Sequence, residues 1–227
     1  MKELLILHGA IGSKSQFNSM ASLLGNRFNV HVLNFSGHGG EAFKENFNIP
    51  QFAEDALVYL EQQNIKSINI FGYSMGGYVA LYLAKNHPDK VSKIITLGTK
   101  LSWTPEVAAK ETKMLDAAKM EEKIPAFAEI LKTRHYPNDW KMVLEKTAYM
   151  MVAMGNNNVL SDEDFKLIQH PVKLLLADND EMVSEEETKH VTNLLPHATF
   201  EVLPNSKHPI EKVDTDALLG IVRAFCG

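Results

Sequence analysis

The sequence has one cysteine, Cys226, among 227 residues. An internal disulfide therefore cannot form, and the composition fits a reducing compartment. Lysine and arginine are not clustered, and the net charge of -5 argues against a nucleic-acid partner. No spacing of histidine, cysteine and carboxylate residues indicates a metal site, so we expect neither a metal nor a cofactor.

Long apolar runs are also absent, so no segment is expected to span a membrane. The first residues lack the apolar region and the small-residue cleavage site of a signal peptide, which predicts a cytoplasmic protein. There is no internal repeat and no low-complexity tract. The apolar fraction of 45% and the charged fraction of 22% are those of an ordinary globular protein with one core plus an insertion.

Short apolar runs alternate with helical patterns along most of the chain. Strands are predicted at residues 4–7, 30–35, 68–71, 91–97, 172–177 and 200–203. Helices are predicted at residues 15–24, 50–63, 75–86, 184–195 and 215–225. This alternation predicts an α/β fold, with a mostly parallel sheet of about six strands flanked by helices.

The alternation stops between residues 100 and 170, where no strand pattern is found. Helical patterns cover residues 105–119, 124–133, 139–154 and 161–168. We call residues 100–170 the helical insertion, and we expect a core domain made of residues 1–99 and 171–227.

The pattern Gly72-Tyr73-Ser74-Met75-Gly76 joins a predicted strand to a predicted helix in very few residues. So tight a turn predicts a positive φ at Ser74, with Gly72 and Gly76 keeping its surroundings free of side chains. Gly-x-Ser-x-Gly alone is common by chance, but between a strand and a helix it indicates a nucleophile elbow. Such an elbow exposes the serine hydroxyl above the sheet and directs backbone N–H groups toward a reacting carbonyl.

A serine nucleophile needs a base, and an imidazole base needs a carboxylate to fix its tautomer. Loops that follow parallel strands meet at one edge of the sheet. The loops after residues 172–177 and 200–203 therefore bring acids and a histidine toward Ser74, namely Asp178, Asp180, Glu181 and His208. The order serine, acid, histidine is the order expected for this type of fold.

Five motifs together resemble those of the α/β-hydrolase family in its minimal form with a helical cap. They are Leu7-His8-Gly9-Ala10, Ser36-Gly37-His38-Gly39, Gly72 to Gly77, Ala177 to Val183 and Ser206-Lys207-His208-Pro209. The resemblance covers nearly the whole chain. It implies Asp180 as the acid, because Asp180 lies three residues after the small Ala177 and three before the aliphatic Val183. Asp178 is the alternative acid.

The His-Gly motif of the family implies an oxyanion hole made by the backbone N–H groups of Ala10 and Met75. His8 and His38 are expected to form hydrogen bonds within their own loops. In capped members the insertion lies over the serine, so we expect an apolar pocket lined by some of its aromatic residues and methionines. A solvated helix face is the expected location of three further polar residues, Lys110, Arg134 and His135. The alternative is that they bind a substrate carboxylate.

The residues and the resemblance predict a serine hydrolase that cleaves a carboxylic ester or thioester with an apolar group. Ser74, Asp180 and His208 would act through an acyl-enzyme intermediate. Two alternatives stay open: hydrolysis or lysis of a carbon–carbon bond with the same residues, and ligand binding with little turnover. Epoxide hydrolases and haloalkane dehalogenases of the family carry an aspartate at the elbow, and Ser74 argues against both.

Overall fold

A computed structural model describes residues 1–227 and contains one six-stranded sheet. Its strands are β1 Lys2–Leu7, β2 Phe28–Val32, β3 Ile68–Tyr73, β4 Val91–Leu97, β5 Val172–Asn179 and β6 Ala198–Lys207. Their spatial order is β2-β1-β3-β4-β5-β6, and every neighbouring pair is parallel. The predicted α/β class and the number of strands are confirmed.

The chain forms ten α-helices. They are α1 Asn18–Leu24, α2 Ile49–Gln62, α3 Met75–Asn86, α4 Pro105–Glu111, α5 Ala117–Lys123, α6 Pro125–His135, α7 Trp140–Asn156, α8 Asp162–Lys166, α9 Glu185–Leu194 and α10 Thr215–Cys226. α1 and α10 pack on one face, and α2, α3 and α9 pack on the other. None of the ten combines the length and the apolar character needed to cross a membrane.

The alternation of side chains along β1 shows why the strands have continuous apolar sequences. Leu5 and Leu7 belong to the larger apolar core, and Leu4 and Ile6 belong to the core on the opposite face. All four side chains are fully buried. A parallel sheet with both faces covered removes the polar positions that an exposed face would require.

The helical insertion between β4 and β5 contains helices and turns but no strand. Met150 and Met154, near the end of α7, pack into the larger core of the sheet. Trp140 and Leu144, at the start of the same helix, belong to a separate small core with Leu131 of α6. α7 therefore connects a region fixed to the sheet with a region that has its own apolar core. The domain boundaries themselves stay a prediction.

Side-chain hydrogen bonds explain three of the differences between the predicted and the observed boundaries. The predicted helix 105–119 is broken by a 3₁₀ turn at Thr112–Leu115, after which Asp116 caps α5 by accepting the Lys119 N–H at 3.1 Å. The predicted strand 30–35 ends at Val32, because the Phe35 N–H donates to His8 Nε2 instead of to a strand.

The third difference is that β6 continues to Lys207, although a loop is predicted from residue 204 onward. The carboxylate of Asp178 accepts the N–H groups of Asn205 and Ser206, each at 2.9 Å. These bonds hold the end of β6 against the end of β5.

The order of the strands creates a crevice at their carboxyl ends. β1 and β3 are neighbours, with Leu7 opposite Gly72. The chain continues from β1 to β2 on one side and from β3 to β4 on the other. In an open parallel sheet, ligands bind where the direction of winding changes in this way. The loop after Leu7 and the turn after Tyr73 lie at this point.

Candidate active site

Ser74 occupies a strained turn that β4 holds in place. Its φ is 51° and its ψ is -117°, which confirms the predicted positive φ. The Ser74 N–H donates to the carbonyl of Leu97 at 2.8 Å, and the hydroxyl of Thr99 donates to the Ser74 carbonyl at 2.9 Å. Both backbone polar groups of the strained residue are thus satisfied by the end of one neighbouring strand.

The glycines around Ser74 allow α3 to start directly against β1 and β3. A β-carbon on Gly72 would lie 2.5 Å from the backbone nitrogen of Gly77. A β-carbon on Gly76 would collide with the carbonyl oxygen of Leu7. Each glycine therefore permits a backbone contact that any side chain would block.

Asp180 and His208 form a buried pair after β5 and β6. Asp180 Oδ2 accepts from His208 Nδ1 at 2.8 Å, and Oδ1 accepts the N–H groups of Met182 and Val183, both at 2.9 Å. Burial acts to raise the pKa of Asp180, but the bond from His208 and the two backbone N–H groups outweigh it, and the pKa lies below 3.8. The carboxylate stays ionised and orients the imidazole.

Two neighbours of this pair were not found from the sequence. Gly98, at the end of β4, has a φ of 58°, and a β-carbon there would lie 3.1 Å from Asp180 Oδ2 and 3.2 Å from His208 Nδ1. The hydroxyl of Tyr73 donates to the carbonyl of His208 at 2.9 Å. A glycine ending a strand beside the elbow strand is a signal for close packing, but nothing in the sequence indicates the tyrosine contact.

The other two candidate acids lie apart from His208. Asp178 is exposed, and the N–H groups of Ser206 and Asn205 that bind its carboxylate also lower its pKa. Glu181 is exposed. The structure therefore pairs His208 with Asp180, the residue that the family resemblance favoured.

Ser74 and His208 lie at the junction of two cavities. The inner cavity has a volume of about 40 Å³ and is also lined by Met75, Tyr78, Trp103, Met150 and Met154. The outer cavity has a volume of about 340 Å³ and is also lined by Ile11, Met114, Met120, Phe127 and Arg134. The predicted apolar pocket is present, although Tyr136 and Tyr149 are exposed instead of lining it.

The two backbone groups expected to form an oxyanion hole border the inner cavity. The N–H of Ala10 donates no hydrogen bond. The N–H of Met75 belongs to the first turn of α3, where the N–H groups have no acceptor in a preceding turn. Both are available to an oxygen atom bound beside Ser74.

Burial keeps His8 and His38 neutral. It lowers the pKa of His8 to about 3 and that of His38 well below 6.5. As predicted, each bonds within its own loop, His8 Nδ1 to the carbonyl of Gly9 at 2.8 Å and His38 Nδ1 to that of Ser36 at 3.2 Å. Because His8 Nε2 accepts from the backbone, its Nδ1 carries the proton.

The prediction of a solvated face was wrong for Arg134 and His135. The His135 side chain is fully buried, and that of Arg134 is 12% exposed. His135 Nδ1 accepts the Gly39 N–H at 3.0 Å, so its Nε2 donates to the carbonyl of Ile11, also at 3.0 Å. Burial lowers the pKa of His135 to about 4. Lys110 is exposed, as predicted.

Comparison with known proteins matches residues 3–129 to a family model described as alpha/beta hydrolase fold. A pimeloyl-[acyl-carrier protein] methyl ester esterase of Neisseria meningitidis is 31% identical over 94 residues, or 41% of this chain. That match covers 35% of the esterase, so the chain spans about a third of its length. The sn-1-specific diacylglycerol lipase ABHD11 of Mus musculus is 24% identical over 98% of this chain and 80% of the lipase.

A solved structure shares the whole architecture. The enol-lactonase of Burkholderia xenovorans LB400 superposes with a TM-score of 0.80, covering 99% of this chain and 91% of the lactonase. The two sequences are 19% identical, so this likeness shows the fold alone.

Proposed function

The chain belongs to the alpha/beta hydrolase family of enzymes, and from that premise we propose that it is a serine hydrolase that cleaves a carboxylic ester or thioester. The observation that carries the proposal is the placement of the buried Asp180–His208 pair at the same two cavities as Ser74. A strained serine, an oriented imidazole and a buried carboxylate are the three parts that nucleophilic acyl transfer requires.

In the proposed mechanism, His208 acts as the general base. Its Nδ1–H is held by Asp180, which leaves the Nε2 lone pair to take the proton of the Ser74 hydroxyl as Ser74 attacks the carbonyl carbon. The imidazolium then gives this proton to the departing alcohol or thiol. Water, activated by the same imidazole, hydrolyses the acyl-enzyme and restores the serine.

The N–H groups of Ala10 and Met75 would stabilise the oxyanion of both tetrahedral intermediates. Because neither group has to break an internal bond first, the hole needs little reorganisation as charge develops. Loss of one such donor in an enzyme of this kind costs about 3–4 kcal/mol of transition-state stabilisation.

The helical insertion is proposed to act as a cap that divides the substrate site. Met75 lines only the inner cavity, which therefore suits the acyl group whose carbonyl oxygen meets its N–H. The outer cavity reaches Met114 and Ile124, which are 55% and 50% exposed, so a leaving group can depart there.

The experiment is the hydrolysis of p-nitrophenyl esters of increasing acyl length, combined with labelling by a fluorophosphonate probe. The wild type is expected to hydrolyse the esters and to be labelled. Ser74→Ala should abolish both, and His208→Ala should nearly abolish both. Ser92→Ala, which changes an exposed serine at the start of β4, is the matched control and should retain both.

A wild type that neither hydrolyses esters nor reacts with the probe would contradict the proposal. Carbon–carbon bond cleavage and ligand binding without turnover would then be tested instead. Labelling that persists in Ser74→Ala would place the reactive serine elsewhere and contradict the assigned nucleophile.

A further inference from the structure

Two residues that line the inner cavity each have a buried polar atom without a hydrogen-bond partner. The atoms are Oε2 of Glu111 and Nε1 of Trp103, and the two residues are 3% and 8% exposed. One is an acceptor and the other is a donor, and they do not bond to each other. Most other side chains around this cavity are apolar. Unpaired buried polar groups are rare in proteins, and each one needs an explanation.

Glu111 is not satisfied by the nearby charges. Lys100 Nζ lies 4.0 Å from Glu111 Oε1, beyond hydrogen-bond distance, and lies nearer to Glu187, at 3.5 Å. Glu187 also accepts the N–H of Leu101 at 3.1 Å and that of Ser184 at 3.2 Å. The Lys100 ammonium is therefore shared between two carboxylates, and Glu111 is the one without a hydrogen bond.

Trp103 is fixed in place while its indole N–H stays free. The side-chain amide of Asn158 donates to the Trp103 carbonyl at 2.9 Å, and the Trp103 side chain packs into the larger apolar core. The following Thr104 caps α4, whose last residue is Glu111. Trp103 thus comes just before α4 and Glu111 ends it, and both residues line the inner cavity.

We propose that the inner cavity recognises an acyl group carrying a polar function that is both donor and acceptor, a hydroxyl or a secondary amide. Its O–H or N–H donates to Glu111 Oε2, and its oxygen accepts from Trp103 Nε1. This inference rests on the proposed hydrolase function and names the substrate class of that same site. A substrate without the hydroxyl or amide binds less well, because the two buried polar groups of the site then stay unpaired. The flexible methionines around them allow the small adjustment that binding requires.

The test compares p-nitrophenyl esters in isosteric pairs. One series carries a hydroxyl at successive acyl carbons, each ester beside its methyl analogue. The second series compares N-acetylglycinate with levulinate, which keeps the carbonyl but lacks the N–H. The ratio of kcat/KM within a pair measures recognition of the polar group. We expect at least one hydroxyl ester, or the amide ester, to be favoured about tenfold or more over its partner.

Three variants assign this preference to the two residues. Glu111→Leu removes the acceptor and should abolish the preference while leaving the Lys100–Glu187 pair in place. Glu111→Gln keeps an acceptor and should retain part of it. Trp103→Phe removes only the donor and should reduce the preference for the hydroxyl esters. Glu122→Gln, on an exposed glutamate of α5, is the matched control and should keep the wild-type ratio.

Fluorophosphonate labelling separates the two ways in which the experiment can fail. If the wild type is labelled and hydrolyses esters, but no polar ester is favoured or Glu111→Leu keeps the preference, the inference about Glu111 and Trp103 is wrong and the hydrolase function stands. If the wild type is not labelled and hydrolyses nothing, both proposals fail.

Discussion

His135 of the helical insertion donates a hydrogen bond of 3.0 Å from Nε2 to the carbonyl of Ile11, in the loop after β1. Arg134 Nη1 donates to the same carbonyl at 3.1 Å. Ile11 has a φ of 52°, an unfavourable value for a β-branched residue. The residue before it is Ala10, so the insertion helps to fix the backbone that presents the proposed oxyanion donor.

The first prediction is that His135→Leu lowers kcat by about tenfold or more and changes KM less, because a displaced Ala10 N–H weakens the transition state more than the bound substrate. Steady-state kinetics with a p-nitrophenyl ester measures both constants. Lys132→Leu, at an exposed position of α6, is the control and should behave as wild type. An unchanged kcat in His135→Leu would show that the loop keeps its shape without the insertion.

The second prediction separates the two aspartates that follow β5. Asp180→Asn should lower kcat by about 10⁴-fold, because an amide no longer holds the tautomer in which His208 Nε2 is free. Asp178→Asn should leave kcat near the wild-type value, because Asp178 binds only Asn179 and the backbone of β6. The comparison uses kcat for one ester in the two variants. The opposite order of activities would make Asp178 the functional acid.

The third prediction concerns two glycines with opposite surroundings. Gly98→Ala should lower the free energy of unfolding by about 1–2 kcal/mol, because its positive φ is unfavourable for alanine. It should also reduce kcat, since the new methyl group lies against Asp180 and His208. Gly220→Ala, inside α10 with nothing within 4 Å, should raise stability by about 0.5–1 kcal/mol and leave kcat unchanged. Urea unfolding and ester hydrolysis measure the two effects, and equal stability changes would contradict the account.

The fourth prediction is a loss of stability in mild acid. The pKa of His135 falls from 6.5 to about 4 on folding, and those of His8 and His38 also fall. At pH values between the folded and the unfolded pKa, the unfolded chain binds more protons than the folded one. The neutral imidazole of His135 therefore contributes fully to the free energy of unfolding above pH 6.5, and this contribution is lost as pH falls toward 4. For His135 alone the contribution is about 3 kcal/mol.

Urea unfolding at a series of pH values measures this linkage. His38→Phe should reduce the pH dependence, because one of the buried imidazoles is removed where aromatic rings surround it. His197→Asn, at an exposed histidine, is the matched control and should keep the dependence. A free energy of unfolding that does not change from about pH 7 to about pH 5 would rule out this linkage.

The fold and the catalytic candidates could be predicted because their signals are local. The apolar strand runs, the spacing of Gly72, Ser74 and Gly76, and the acid three residues after Ala177 each follow from short segments of sequence. The positive φ at Ser74 follows in the same way, from a turn with no room for another conformation.

The contacts that support the site could not be predicted because they join distant parts of the chain. Ile11 meets His135 across 124 residues, and Tyr73 meets His208 across 135. Because His135 is a polar residue within a helical pattern, the sequence alone predicts that its side chain faces solvent. Only tertiary packing shows that this face is buried against the loop after β1.

The most direct test of the central claim is the site of acylation during turnover. The enzyme is mixed with p-nitrophenyl acetate and quenched in acid within the burst phase, and its peptides are analysed by mass spectrometry. We expect one acetyl group, on Ser74, in an amount equal to the p-nitrophenol released in the burst, and none at this position in Ser74→Ala. Acetylation of another residue with turnover intact in Ser74→Ala would contradict the role of Ser74 as the nucleophile.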